Sequence, residues 1–362
     1  MNQKHKWLGG AVTPAGDIIG IPSHAPSVIR ITPGEEPRIE FHGEGQLNNM
    51  RKGSRLRFKW LRGMVVGDAI YGIPAWADSV VKVCLNSWSV STFGEEELRP
   101  LALSADALRE ASRKEKATKR REQRFEETEV DVESGAEEDT AALGWRWMWH
   151  GAALADDGKT IYAIPACADR VLRVDTSTGE VRRVGPRMPG MQKWYGGIKG
   201  APGSDGAVYG VPYGAPHLLK INPAAAAEDV TVEHVHVESR GGDDALPDGD
   251  RWRWHGGARS DLNGAIYCYP AHAEHVLKID TLAGGATSQL GCAEDADPIV
   301  VESMKGRYKW LGEYPSSAAA ARHAWKAPSL SFFLPSFLSL LYVVRFFRMS
   351  DDYKNLFLKF EN

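Results

Sequence analysis

The chain has 362 residues, a net charge of −3 and a pI near 6.4, a length that suits two ordinary domains or one large repeat domain. It lacks the basic excess of nucleic-acid-binding proteins, so no nucleic-acid partner is predicted. The four cysteines lie far apart without a Cys-x-x-Cys pair, which argues against a disulfide framework and a structural zinc site and favours a reducing compartment. No apolar run precedes Trp7, so we expect no secretory signal and a cytoplasmic location.

Five stretches of the chain repeat one pattern, starting near residues 6, 59, 148, 193 and 253. Each opens with a tryptophan and small residues, continues to an I-Y-G-I-P phrase, and has an aliphatic residue six positions after that proline. We call the opening residues the anchor tryptophans: Trp7, Trp60, Trp149, Trp194 and Trp254. A sixth unit starts near 309 with Trp310 and then loses the pattern. Tandem units of this length indicate a repeat architecture.

One unit predicts four short strands. The W-x-G-G phrase is strand one, an Asp-Gly or Asn-Gly pair is a hairpin turn, and I-Y-G-I-P is strand two, ending where proline removes a ladder donor. A small-residue loop leads to strand three, V-L-K-I-D, and a second turn to strand four. The sequence therefore predicts an all-β chain over 1–312: a β-propeller of four-stranded blades, with five clear repeats plus a partial sixth, of the six- or seven-bladed type and with ring closure left open. The anchor tryptophans are predicted to be core residues.

The D-G-x-I-Y-x-x-P strand followed by V-x-x-I-D resembles the NHL, YVTN and streptogramin-lyase-like propellers over about 300 positions. The resemblance is to a repeat style. WD40 repeats fit poorly because no Trp-Asp pair closes a unit, and Kelch repeats are a second choice. Propellers of the resembled class range from scaffolds to lyases and lactonases, so the resemblance implies the fold far more than the function.

Three segments depart from the repeat. Residues 103–143 begin basic and end acidic with few apolar residues, which predicts a disordered insertion with a partner-docking role as the alternative. The acidic stretch 242–250 lacks EF-hand spacing and is predicted to be a solvated loop. The tail 313–362 contains an apolar segment, 329–347, for which three interpretations stay open: a membrane anchor, a segment packed on the propeller, or non-native sequence from a gene model that runs past an exon boundary. A membrane partner is predicted only if this segment is genuine.

The loop after strand two and the start of strand one lie on one face of a propeller, where ligands usually bind. The two residues after each strand-two proline differ between units, while the next residue is always alanine. Together with the residues that flank the anchors, they form the predicted ligand-binding face: Lys6, His24, Lys59, Trp76, His150, Lys193, Tyr195, Tyr213, Arg253, His255 and His272. Lys309 would continue this set. A rim of lysine and arginine would favour an anionic ligand.

Two functions are compatible with this face. The first is a non-enzymatic binding or scaffold module for a protein or a small anionic ligand. The alternative is a lyase- or lactonase-like enzyme with a histidine-lined channel site that could use a divalent metal ion, for which His24 and His272 are the candidate ligands although no pair has diagnostic spacing. The enzyme requires at least two of His24, His150, His255 and His272 to converge on one point.

Overall fold

The computed structural model of the protein describes residues 6–47, 58–98, 147–237 and 252–291. These residues form five four-stranded antiparallel sheets in which each strand pairs with the next along the chain. This is the arrangement of a propeller blade, so the predicted all-β fold of four-stranded blades is confirmed for five units. The sixth start near 309, the insertion 103–143, the stretch 242–250 and the tail 313–362 lie outside the described residues.

The chain divides into two compact units. Unit 1 comprises residues 1–193 and 225–230 and contains blades 1 to 3. Blade 1 has strands β1 (Trp7–Val12), β2 (Ile18–Pro22), β3 (Val28–Thr32) and β4 (Arg38–His42). Blade 2 has β5 (Trp60–Val66), β6 (Ala69–Pro74), β7 (Val80–Cys84) and β8 (Val90–Phe93), followed by the one-turn helix α1 (Glu95–Leu98). Blade 3 has β9 (Trp149–Leu154), β10 (Thr160–Pro165), β11 (Val171–Asp175) and β12 (Val181–Val184).

Unit 2 comprises residues 194–224 and 231–362 and contains blades 4 and 5. Blade 4 has β13 (Trp194–Lys199), β14 (Val208–Pro212), β15 (His217–Asn222) and β16 (Thr231–His236), and a 3₁₀ turn (Ala227–Asp229) lies between its last two strands in sequence. Blade 5 has β17 (Trp254–Arg259), β18 (Ile266–Pro270), β19 (Val276–Asp280) and β20 (Ala286–Leu290).

The W-x-G-G phrase encodes a bulged first strand. In every blade the anchor tryptophan pairs with the proline that ends strand two, and the register shifts directly after this pair, except in blade 4, where it shifts one residue later. Gly9 follows the first anchor with φ +70°, and a side chain there would overlap the carbonyl oxygen of Leu61 on the neighbouring blade. Glycine at this position thus permits both the bulge and the close approach of neighbouring first strands.

Each anchor tryptophan makes the same hydrogen bond within its own blade. Its indole Nε1–H donates to the carbonyl just before strand three in four blades, and to the carbonyl of the first residue of strand three in blade 4, with donor–acceptor distances of 2.7 to 2.9 Å. The acceptors are the carbonyl oxygens of Ser27, Ser79, Arg170, His217 and His275. Four of the five anchors are at most 3% exposed and Trp7 is half-buried, so the prediction that these tryptophans are core residues is confirmed for the buried four.

Asp-Gly and Asn-Gly pairs form the predicted turns between strands one and two. Gly158, Gly206 and Gly264 all have positive φ, from 70° to 73°. The preceding side chain accepts backbone N–H groups of the turn, as Asp157 does from Lys159 and Thr160 at 2.9 Å. The dipeptide specifies a hairpin for two reasons: the Asp or Asn side chain accepts hydrogen bonds from the turn backbone, and the glycine adopts the left-handed conformation that the turn requires.

The cores lie between neighbouring blades of a unit. One face of blade 1 packs on blade 2, the opposite face of blade 2 packs on blade 3, and in unit 2 blade 4 packs on blade 5 in the same way. Strand two of blades 2 and 3 is therefore buried along its whole length. Within the described ranges, no helix is long and apolar enough to cross a membrane. The apolar segment 329–347 lies outside the described ranges.

We predict that Trp60→Phe lowers the free energy of unfolding by about 1–3 kcal/mol, because it leaves the buried Ser79 carbonyl without its donor. Trp7→Phe removes the equivalent bond to Ser27, but Trp7 is half-buried and water can replace the indole. Urea denaturation of both variants should give the larger loss for Trp60→Phe. Equal losses would contradict the role assigned to the buried bond.

Candidate functional site

The loops of the predicted ligand-binding face are held by one carbonyl in blades 1, 2 and 5, and in blade 3 the Met148 carbonyl accepts from Ala166 and Ala168 at 3.0 Å. In blade 2 the N–H groups of Ala75, Trp76 and Ala77 all donate to the Lys59 carbonyl oxygen, at 2.9, 3.3 and 3.2 Å. The same three-to-one pattern occurs in blade 1 on the carbonyl of Lys6 and in blade 5 on that of Arg253. The alanine that never varies is buried in this turn, at 0% exposure for Ala77. The two residues before it are thereby presented from a rigid backbone.

The residue that precedes each anchor also links neighbouring blades within a unit. Its backbone N–H donates to the carbonyl of the first loop residue of the preceding blade: Lys59 to Ser23 at 3.2 Å and Met148 to Ala75 at 2.9 Å in unit 1, and Arg253 to Tyr213 at 2.9 Å in unit 2. The loop of one blade and the start of strand one in the next blade are therefore joined by a hydrogen bond. This explains why the loop geometry is constant while the loop side chains vary.

Two lysines of the predicted cationic rim are structural. Lys59 is 5% exposed and its Nζ donates to the Ala25 carbonyl at 2.7 Å. Lys193 is 6% exposed and its Nζ donates to the carbonyls of Ala166, Ala168 and Gly190 at 2.8 to 2.9 Å. Burial lowers the pKa of both ammonium groups to about 8. Both lysines are therefore bound to backbone carbonyls in a buried loop, and their contact with a ligand stays a prediction.

The other cations of the set differ in exposure. Lys6 is exposed, and Arg253 is half-buried with one guanidinium N–H donating to the Ala215 carbonyl at 3.2 Å. Met148 occupies the equivalent position in blade 3, where no cation reaches back to the preceding loop. Lys309 lies outside the described residues.

A further position contributes to the site: the residue two before the anchor, which we call the upstream position. Phe58, Trp147 and Gln192 occupy it with φ of 53°, 54° and 49°. Bulky residues in this left-handed region are rare and cost on the order of 1–3 kcal/mol each. The upstream carbonyl accepts a loop N–H in return, as Phe58 does from Trp76 at 3.1 Å and Trp147 from Cys167 at 3.1 Å. Repeated backbone strain of this kind is typical of functional sites.

In unit 1, upstream and loop residues form an aromatic cluster, cluster A, composed of His24, Phe58, Trp76, Trp147 and His150. Phe58 is its centre, with ring centroids 4.4 Å from His24, 5.0 Å from Trp76 and 4.7 Å from Trp147. Trp76 and Trp147 lie edge to face at 5.9 Å, and His150 lies 6.3 Å from Trp147. Phe58 is buried and the other four are half-buried, so the cluster presents ring surface to solvent.

Unit 2 carries an equivalent cluster, cluster B, composed of Tyr195, Tyr213, Trp252, His255 and His272. Tyr213 is stacked between Tyr195, at 4.0 Å and 9°, and Trp252, at 5.5 Å and 13°. His255 meets both tyrosines edge-on at 5.2 and 5.4 Å, and His272 lies 5.6 Å from Trp252. Trp252 is half-buried, while the other four are at most 9% exposed.

The four candidate histidines are all members of these clusters. His24 and His150 lie at opposite ends of the ring contacts in cluster A, and His255 and His272 are separated by Tyr213 and Trp252 in cluster B. In the part of the chain that the structure describes, no three or more His, Cys, Asp and Glu side chains are arranged to hold a metal ion. The divalent ion suggested for His24 and His272 stays a prediction.

Sequence reasoning missed the upstream aromatic residues Phe58, Trp147 and Trp252. The pattern was visible, since an aromatic ring, one residue and the anchor tryptophan recur as F-K-W, W-M-W and W-R-W. In an extended strand the residue two before the anchor would share the anchor's buried face, and at Phe58 and Trp147 it is the left-handed turn that redirects the ring into cluster A.

No protein-family model and no curated protein matches this sequence. Solved structures do resemble it in fold. Virginiamycin B lyase from Staphylococcus aureus matches with 11% identity over 80% of this chain and 71% of that chain, at a TM-score of 0.48. A streptogramin B lyase matches with 11% identity over 78% and 68%, at 0.46, and a protein of unknown function from Desulfotomaculum acetoxidans with 9% over 80% and 70%, at 0.44. These neighbours agree with the resemblance to streptogramin-lyase-like propellers, and at such identities the likeness concerns the fold alone.

The buried lysines predict a pH dependence of stability. Lys59 and Lys193 titrate near pH 8 in the folded protein and near 10.5 when exposed. Between these values the unfolded chain binds more protons, so both lysines make the free energy of unfolding rise with pH. We expect a Lys59→Met/Lys193→Met double variant, which copies the natural Met148, to lose this contribution in urea denaturation between pH 7.5 and 10.

The matched control is Lys159→Met, which removes an exposed lysine and should keep the wild-type slope. If the double variant and the control show the same change of stability with pH, the two buried ammonium groups do not titrate as described.

Proposed function

We propose that the protein is a binding module whose ligand contacts the ring surface of cluster A or of cluster B, each taken within its own unit. The observation that carries this proposal is the recurrence of aromatic side chains at three repeat positions: the loop, the residue after the anchor, and the upstream position. Rings that meet from three positions of the repeat form a continuous hydrophobic surface, and contact with a ligand offers a reason to retain the part of it that reaches solvent.

The clusters supply apolar surface attached to a rigid framework. In cluster A the half-buried Trp76 and Trp147 lie on backbone held by the hydrogen-bonded loops of blades 1 to 3. Preorganised tryptophan and tyrosine rings bind partners with little loss of conformational entropy, and such residues dominate the energetics of interfaces. This supports recognition through ring contact rather than through a network of charges.

The position of the charges refines the expected ligand. Of the cations near the clusters, Lys59 and Lys193 donate to backbone carbonyls, which leaves Lys6 and the half-buried Arg253 as the closest candidates for an anion. We therefore propose a ligand that presents apolar or aromatic groups, either a peptide segment of a protein or a small molecule, with any anionic group in a secondary role.

The alternative function, an enzyme, depends on the four candidate histidines His24, His150, His255 and His272. In both clusters the described histidines pack against rings, His24 on Phe58 and His255 edge-on to Tyr195 and Tyr213. Such contacts support a role in shaping the ring surface. A lyase- or lactonase-like reaction and a cytoplasmic location both stay predictions.

The proposal is tested with a panel of defined fragments that carry aromatic, aliphatic, carboxylate or lactone groups, measured by saturation-transfer NMR on the full chain. We expect the aromatic and aliphatic fragments to bind, and Trp147→Ala to weaken the binding of those that contact cluster A at least ~10-fold, which corresponds to about 1.4 kcal/mol.

The matched control is Trp88→Ala. Trp88 is half-buried in unit 1 with φ 56°, so it has the same backbone conformation as Trp147, but it contacts His42 and Arg30 instead of the cluster. Preferential binding of carboxylates, or equal losses in both variants, would overturn the proposal. Consumption of a lactone fragment would favour the enzyme.

A further inference from the structure

Three histidines lie on one face of the two outer strands of blade 4. His217 is the first residue of β15, and it pairs directly with His236 on β16. His234 lies two residues before His236 on the same strand, and alternate residues of a strand point to the same face of the sheet. The three side chains, which we call the histidine triad, are therefore neighbours on one surface, and none of them belongs to cluster A or cluster B.

The rings of the triad stand side by side. The His217 ring is stacked with that of His234, with centroids 5.9 Å apart and planes at 12°, and its centroid lies 6.4 Å from that of His236. His234 and His236 are exposed, whereas His217 is half-buried and its enclosed Nδ1 has no hydrogen-bond partner among the described residues. An enclosed ring nitrogen of this kind is unfavourable, so a movement that gives Nδ1 a partner gains free energy.

The backbone beneath the triad is held in place within unit 2. Trp194 donates its indole N–H to the His217 carbonyl at 2.7 Å, and its ring lies 5.5 Å from that of His234. Thr287 of blade 5 donates its hydroxyl to the His236 carbonyl at 3.2 Å. A different arrangement of the three rings therefore requires rotation of side chains alone, and exposed side chains rotate within nanoseconds.

The blade fold does not require histidine at these positions. The register of strands three and four places other residues at the position of His234 in the other four blades: Phe41, Thr92, Arg183 and Gln289. These residues share a place in the sheet and no common chemistry. The triad is thus a feature of blade 4 that the repeat itself does not explain.

We propose that His217, His234 and His236 bind a divalent transition metal ion, with Zn²⁺ as the expected ion. Neutral imidazole is a preferred ligand of Zn²⁺, and three protein ligands plus water complete a tetrahedral zinc site. Directly opposite residues of an antiparallel pair have Cβ atoms about 4.5–5.5 Å apart, and diagonal neighbours about 7–8 Å. One ion above the sheet is therefore within reach of all three side chains.

Binding requires the rings to turn toward one point. Among the described residues no three such side chains converge in this way. A tetrahedral site with Zn–N bonds of about 2.1 Å brings ring nitrogens to within about 3.4 Å of one another, closer than the present separation of the rings. His234 and His236 can make this movement because both are exposed, while the paired backbone keeps their positions relative to His217 fixed.

Titration of the full chain with ZnCl₂ tests the proposal, read by calorimetry and by NMR of ¹⁵N-labelled histidine rings. We expect the imidazole signals of the three triad residues to change together as zinc is added. Loss of a residue that merely orients a metal ligand costs ~10–100-fold in affinity, so His234→Gln and His236→Gln should each lower the zinc affinity at least ~10-fold. Both residues are exposed, and circular dichroism checks that the variants stay folded.

The matched control is His42→Gln, which removes a half-buried histidine from the last strand of blade 1 and should leave the zinc affinity unchanged. The proposal is overturned if the wild-type chain binds no zinc, or if the variants and the control lose affinity equally. Zinc binding that persists in a His234→Gln/His236→Gln double variant would assign the ion to other ligands, and a response confined to His234 and His236 would exclude His217. Zinc binding and fragment binding are measured separately, so this proposal and the function proposed for clusters A and B can fail independently.

Discussion

The hydrogen bond from the anchor indole to the carbonyl at the start of strand three is the contact on which the rest of each blade depends. It ties strand one to the loop that follows strand two, at the point where the anchor faces the terminal proline. The residue before the anchor then collects the loop N–H groups on its own carbonyl. One tryptophan and its neighbour therefore define the loop backbone.

This division explains how a site arises from a repeat. The backbone of the loops is equivalent from blade to blade, but the side chains at loop and upstream positions are not, so different rings meet in the two units. In unit 1 the rings pack at steep angles around Phe58, and in unit 2 they stack in parallel around Tyr213. The same framework thus holds two ring clusters of different geometry.

Much of the fold could be predicted because each local feature recurs in the sequence. The Asp-Gly turns, the proline that ends strand two and the alternation in strand three all have short-range physical causes, and the strands lie where these features place them. The roles of Lys59 and Lys193 could not be predicted in this way, because burial of an ammonium group depends on the neighbouring loop. The upstream rings were missed since a left-handed conformation at Phe58 or Trp147 contradicts the preference of the residue itself.

The most direct test of the central claim is the hydrogen exchange of the indole N–H groups, followed by NMR on protein labelled with ¹⁵N-tryptophan. If the bond to the carbonyl at the start of strand three holds each blade together, the indole protons of Trp60, Trp149, Trp194 and Trp254 exchange only through large-scale opening, far more slowly than that of the half-buried Trp88. Exchange of the four anchors at the rate of Trp88 would contradict the account.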